Sequence, residues 1–141
     1  MKKSYLCGMI TNNVLTKEQS TKIAESTFDW CLTKFGNPLK TVSPVLNVSF
    51  DKRVKRYYGH YHNRIINVFP NVCGNERLII LTVIHEFRHF LQMPKLANMS
   101  QYYKLCKKYD YENHPLEIDA INFQKKYYSS CRRSLKRKGV L

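Results

Sequence analysis

Ile84-His85-Glu86-Phe87-Arg88-His89-Phe90 decides the reading of this chain, because it sets an HExxH spacing at the end of the apolar run Leu78-Ile79-Ile80-Leu81-Thr82-Val83. On an α-helix, residues four apart stand one above the other on the same face. His85 and His89 therefore present two imidazoles to one point. Glu86 sits one position round the axis, within reach of a water held there. Two histidines with an adjacent carboxylate at this spacing form the donor set of a catalytic zinc site with its general base. The plainer alternative is a buried helix whose histidines are hydrogen-bonded core residues. Residue types, spacing and helical context together favour the metal.

Working outward, Asn75 reads as the N-cap of this helix, which the spacing predicts over residues 76–92, with Pro94 beyond its end. Ile80, Ile84, Phe87 and Leu91 fall on one side, and Ile79, Val83 and Phe90 on another, so the helix is central and buried. Upstream, Thr16-Lys17-Glu18-Gln19 is a capping box. Ile23, Ala24, Thr27, Phe28, Cys31, Leu32 and Phe35 then recur at helical spacing until Gly36 and Asn37-Pro38. That predicts a helix over 17–35. Val45 to Phe50 alternates as a strand, and Tyr57–Tyr61 with Arg64–Phe69 read as two more around a His62-Asn63 turn. Pro70 and Gly74 mark a loop.

Downstream, residues 101–108 suit a weaker helix, and Pro115 suits the first turn of a fourth that runs towards Tyr128. Helix, then strands, then helices imply an α+β fold rather than alternating units. The expected architecture is a small, mostly antiparallel sheet packed on the HExxH helix, with two or three further helices. No internal repeat or low-complexity linker interrupts it.

A chain of 141 residues with 43% hydrophobic and 13% aromatic residues supports one domain, 1–141, with one core. The apolar run is broken by His85, Glu86, Arg88 and His89, so it is no membrane span. Met1-Lys2-Lys3 is charged like an export signal, but Ser4 to Ile10 is short and leads into Thr11-Asn12-Asn13, so no export signal is read. The cysteines (Cys7, Cys31, Cys73, Cys106, Cys131) are odd in number, scattered and without a CxxC pair. This excludes a disulfide framework and a cysteine zinc knuckle, suits a reducing cytoplasm, and leaves each thiol buried or idle.

The net charge of +14 is unevenly spread. No acid occurs from Gln124 to Leu141, and residues 125–141 form a basic C-terminal extension carrying Arg132, Arg133, Lys136 and Arg137. A second cluster, Arg53, Lys55 and Arg56, runs into Tyr57-Tyr58. A field of this sign attracts nucleic acid or acidic partners, and these seven cations are the candidate nucleic-acid contacts.

A catalytic zinc usually takes three protein ligands and keeps one position open. One solution puts a third histidine six residues after the second, following a glycine; Lys95 and Gln92 hold those places. Another puts it five residues on, where Pro94 stands. A carboxylate from the following helix remains. Glu117 lies between Leu116 and Ile118, where a charge is costly to bury unless paired or metal-bound. Asp119 is an alternative ligand, although both acids also suit a helix first turn. His114 reads as ligand, helix cap or catalytic assistant.

These parts resemble the small gluzincin metallopeptidases of the ImmA/IrrE type and related phage metallopeptidases. The likeness rests on Tyr58-Gly59-His60-Tyr61 with Arg64-Ile65-Ile66-Asn67-Val68, then His85-Glu86-Phe87-Arg88-His89, then Glu117-Ile118-Asp119-Ala120-Ile121-Asn122-Phe123, over roughly residues 55 to 125. It implies a minimal zincin-like domain with zinc on His85, His89 and Glu117, and Glu86 as the base. The chain departs from that pattern in having Phe87-Arg88 where the family has a small pair, and Ile121 where it has asparagine.

The expected function is therefore a cytoplasmic, zinc-dependent endopeptidase acting on a protein substrate, with no membrane partner. Tyr61, His60, Tyr111 and His114 are the candidate oxyanion or substrate groups, and the strand before the active helix is a candidate edge for an extended substrate. By analogy with the ImmA/IrrE type, DNA or a DNA-bound repressor is an expected partner. The alternative is a basic nucleic-acid-binding protein whose HExxH is structural or inactive.

Overall fold

The central helix forms because a long apolar stretch is capped at its start: the Asn75 side chain accepts from the Leu78 amide at 2.9 Å, closing α3 over Glu76–Gln92. The computed structural model describes residues 1–2, 14–38, 40, 42–93 and 99–141. Cys7 and the Ser4–Ile10 stretch lie outside them. The remaining described elements are α1 Lys17–Phe35, β1 Val45–Val48, β2 Gly59–His62, β3 Ile65–Val68, α2 Pro70–Cys73, α4 Met99–Lys108 and α5 Pro115–Arg137. The class is α+β, with five helices and a three-stranded sheet among the described residues.

Helix α1 begins at the expected capping box, with Thr16 and Gln19 exchanging hydrogen bonds of 2.9 and 3.1 Å. It packs with α5 against α3 through an aromatic cluster. Phe87 lies 6.1 Å from both Phe28 and Phe35, and Phe35 lies 4.8 Å from Phe123 and 4.9 Å from Tyr127. Helix α5 continues unbroken to Arg137, and Cys131 and Leu135 are fully buried in the core. Much of the basic extension is thus the last turns of a packed helix. No helix among the described residues is long and apolar enough to cross a membrane.

The sheet differs from expectation. Its order is β1-β3-β2, with β2 antiparallel and β1 parallel to β3, so it is mixed rather than mostly antiparallel. Both Val48 and Gly59 pair with Val68, so residues 49–58 cross the end of β3 instead of running the length of the sheet. The hairpin turn falls on Asn63 and Arg64, at φ 46° and 67°, one residue later than His62-Asn63. Two positive φ values in a two-residue loop match the twist of the flanking strands. Strand β3, immediately before the helical region, is paired on both sides; β1 and β2 are the edge strands, and β2 is the one that lines the cleft described below. The expected loop after β3 contains the short α2, with Pro70 at its start and Gly74 left-handed at its end.

The sheet meets α3 at Gly59. A Cβ there would collide with the Thr82 methyl, stand 2.8 Å from the Asn67 carbonyl oxygen and 3.2 Å from Glu86 Cγ. Thr82 and Glu86 are one turn apart on α3, so the missing side chain lets β2 lie directly on the helix beside the base. Gly59→Ala is expected to cost about 1–3 kcal/mol from overpacking, read as a lower urea midpoint; an unchanged midpoint would contradict the close approach.

Candidate metal centre

Donor atoms of three residues converge between α3 and α5. His85 Nε2 and His89 Nε2 are 3.2 Å apart. Glu117 from the first turn of α5 places Oε2 3.1 Å from the first and Oε1 2.8 Å from the second. All three residues are buried. Helical spacing stacks the histidines, and Pro115 at the start of α5 with His114 as N-cap brings Glu117 to face them.

The outer nitrogens of both rings are held by carboxamides. His85 Nδ1 bonds Gln124 Oε1 at 2.7 Å, and His89 Nδ1 bonds Gln92 Oε1 at 2.8 Å. The orientation of Gln92 is set by its amide nitrogen, which donates to the Leu116 carbonyl at 2.9 Å and to Asp119 Oδ2 at 2.8 Å. An amide oxygen only accepts, so each Nδ1 carries a proton, which leaves Nε2 as the atom each ring can offer to a cation. Two lone pairs and a carboxylate packed this closely repel one another unless a cation joins them. A proton shared with Glu117 relieves one edge of the triangle, whereas a divalent cation relieves all three. Donors around tetrahedral zinc stand about 3.3 Å apart, close to the separations seen. The residues present fit a metal ion.

A second carboxylate is near. His85, Glu86 and His89 each offer a ligand atom within 4.8 Å of the others, a buried group able to hold a metal ion. Contact distinguishes the two acids: Glu117 touches both Nε2 atoms, while Glu86 Oε1 is engaged by the Met1 amino group at 2.5 Å. Burial opposes ionisation of Glu86, but the Met1 ammonium, His85 and His89 outweigh it and hold the acid below its ordinary range. Burial likewise opposes ionisation of Glu117, and hydrogen bonds from His85 and His89 overcome it where a proton rather than a cation occupies Nε2.

Asp119, the alternative ligand, turns to Arg88 instead, at 2.6 Å from Nε and 3.2 Å from Nη2. Arg88 also lies over the Phe123 ring, 4.7 Å from its centroid. The departures Phe87 and Arg88 are therefore used: one fills the α1–α3 interface, the other clamps α3 to the helix that carries Glu117.

A cleft of ≈ 550 Å³ opens beside these groups, lined by Gly59, His60, Tyr61, Tyr102, Tyr111 and Glu117 among others. His60 and Tyr61 reach it from β2. Burial raises the Tyr111 hydroxyl above its ordinary range, reinforced by the negative charge of Glu117 and the hydrogen bond it donates to that carboxylate. His114 is employed as the cap of α5, accepting from the Leu116 amide at 3.2 Å, with Cys106 Sγ 3.7 Å from its other nitrogen. Burial lowers its proton affinity.

The basic candidates lie apart from this cleft's lining. Arg53 pairs with Asp51 at 2.9 Å and Arg132 with Glu76 at 3.5 Å. Lys55, Arg56, Arg133, Lys136 and Arg137 are exposed. The thiols divide: Cys31, Cys73 and Cys131 are buried, and Cys106 is exposed.

Sequence reasoning missed Gln92 and Gln124 as partners of the rings. Gln92 follows His89 by three, and Gln124 follows Glu117 by seven, spacings that share a helix face. Polar residues on an inward face were the available signal. The Met1 contact had no local signal.

Comparison with protein families, with curated proteins and with solved structures finds no match to this chain.

If the carboxamides fix the rings, Gln124→Leu should leave the fold intact and weaken divalent-metal binding by about 10–100-fold. Competition with a chromophoric chelator measures this; undiminished affinity in a folded variant would contradict the assignment.

Proposed function

We propose that this protein is a zinc-dependent endopeptidase with a zincin-like domain. The observation that carries the reading is the buried triangle of His85 Nε2, His89 Nε2 and the Glu117 carboxylate, with both outer ring nitrogens held by glutamines. His85, His89 and Glu117 would hold the ion. When bound, zinc supplies a Lewis acid and lowers the pKa of a water at its open position.

The chain's own groups supply the remainder. Glu86, kept ionised by its neighbours, accepts a proton at Oε1 and later delivers it to the amine of the departing fragment. The Met1 nitrogen at 2.5 Å from that oxygen supports this step, because it demonstrates that an amine can reach it. His60 and Tyr61 offer donors to a carbonyl oxygen in the cleft, and Tyr111 does so once its hydroxyl leaves Glu117. The open edge of β2 aligns an extended substrate by main-chain pairing. The partner is thus a protein segment able to unfold locally into strand.

A second reading, nucleic-acid binding, is favoured by one observation. Lys125, Lys126, Arg133, Lys136 and Arg137 are all exposed on α5, and no acid follows Gln124. The two readings are compatible, since the basic end of α5 lies about 28 Å along the helix from Glu117. A DNA-associated protein substrate would satisfy both.

Glu86→Gln should retain one zinc per chain and lose at least about 100-fold in casein hydrolysis; a parent protein that binds no stoichiometric metal would overturn the peptidase reading. For the second reading, five phosphate contacts predict that duplex DNA affinity falls about 10²–10³-fold between 50 and 200 mM salt. The loss should shrink in Arg133→Glu/Lys136→Glu, and a salt-independent affinity would contradict it.

A further inference from the structure

The first two residues lie in the cleft. Met1 is 4% exposed. Its nitrogen donates to the Gly59 carbonyl at 2.7 Å and to Glu86 Oε1 at 2.5 Å. Its carbonyl accepts from the Tyr58 amide at 2.8 Å. Lys2 forms an antiparallel bridge with Tyr57 and sets its ammonium 4.4 Å from the Tyr111 ring centroid.

These contacts coincide with the groups a peptide would need. In an antiparallel pair, main-chain groups alternate between the partner strand and the free edge. With His62 and Ile65 closing the two-residue turn, Gly59 and Tyr61 turn their amides and carbonyls to the open edge of β2. Met1 takes the Gly59 carbonyl, and with it the carboxylate assigned as base.

We propose that the Met1–Lys2 segment is an intramolecular strap, which pairs with Tyr57–Gly59 at the entry to β2 and occupies Glu86, so that a peptide must displace it to enter. The inhibitory part rests on the peptidase reading; the strap itself does not. Met1 is buried with the core cluster, so an entering peptide must replace its apolar as well as its main-chain contacts.

The test uses the full chain in two variants. Lys2→Glu removes the cation over Tyr111 and sets an anion near Glu117; a second form carries Gly-Ser ahead of Met1, which converts the ammonium to an amide. Hydrogen exchange at the Tyr58 amide reads the strap without any turnover, and it should quicken at least about tenfold in both variants. With zinc present, both should hydrolyse fluorescein-labelled casein at least about threefold faster than the parent. Unchanged Tyr58 exchange in both variants overturns the strap. Faster exchange with unaltered hydrolysis overturns its inhibitory role. Faster exchange with no hydrolysis by any form, the parent included, upholds the strap and overturns the peptidase reading together with the inhibition built on it.

Discussion

Electrostatic repulsion among three converging electron pairs is the constraint on which the rest of this structure depends. Two imidazole nitrogens and the two oxygens of one carboxylate, in contacts of 2.8 to 3.2 Å, are held together in a buried site by two helices far apart in sequence. Such an arrangement is expensive unless a cation joins it. Much of the packing serves to hold it. The aromatic cluster of Phe28, Phe35, Phe87, Phe123 and Tyr127 locks α1, α3 and α5 together. Arg88 and Asp119 tie α3 to the turn that carries Glu117. Gln92 joins the same two helices while orienting His89.

The supporting shell has a chemical character of its own. Both rings are backed on Nδ1 by neutral carboxamides rather than carboxylates; burial lowers the proton affinity of His89, and the Glu117 and Glu86 carboxylates with Gln92 outweigh it and raise it above the ordinary range. The negative charge at the centre is left to Glu117, with Glu86 beside it. In the proposed reading, this division assigns Glu117 to the metal and leaves Glu86 for proton transfer. Gly59 completes it by allowing β2 to approach α3 closely enough to bring a strand edge to that second acid.

How much was legible in the sequence follows the range of the interactions involved. Helices α1 and α3 were readable to the residue, because capping by Thr16, Gln19 and Asn75 and a periodic apolar face are local signals. Glu117 was readable from cost, as an acid flanked by Leu116 and Ile118. The sheet was not. Four-residue strands carry no record of their neighbours, so the parallel pairing of β1 with β3 and the open edge on β2 emerge only from the fold. Gln92 and Gln124 looked like ordinary helix residues, since glutamine is common on exposed helical faces. The Met1 contacts, spanning 58 and 85 positions, leave no trace in any local pattern.

The most direct test of the central claim is an X-ray absorption spectrum of the zinc-loaded protein beside that of Glu117→Ala. The account predicts one zinc per chain with two imidazoles and oxygen donors, no sulfur, and loss of an oxygen ligand or of the metal in the variant. A sulfur-containing shell, or a spectrum unchanged by removing Glu117, would contradict it.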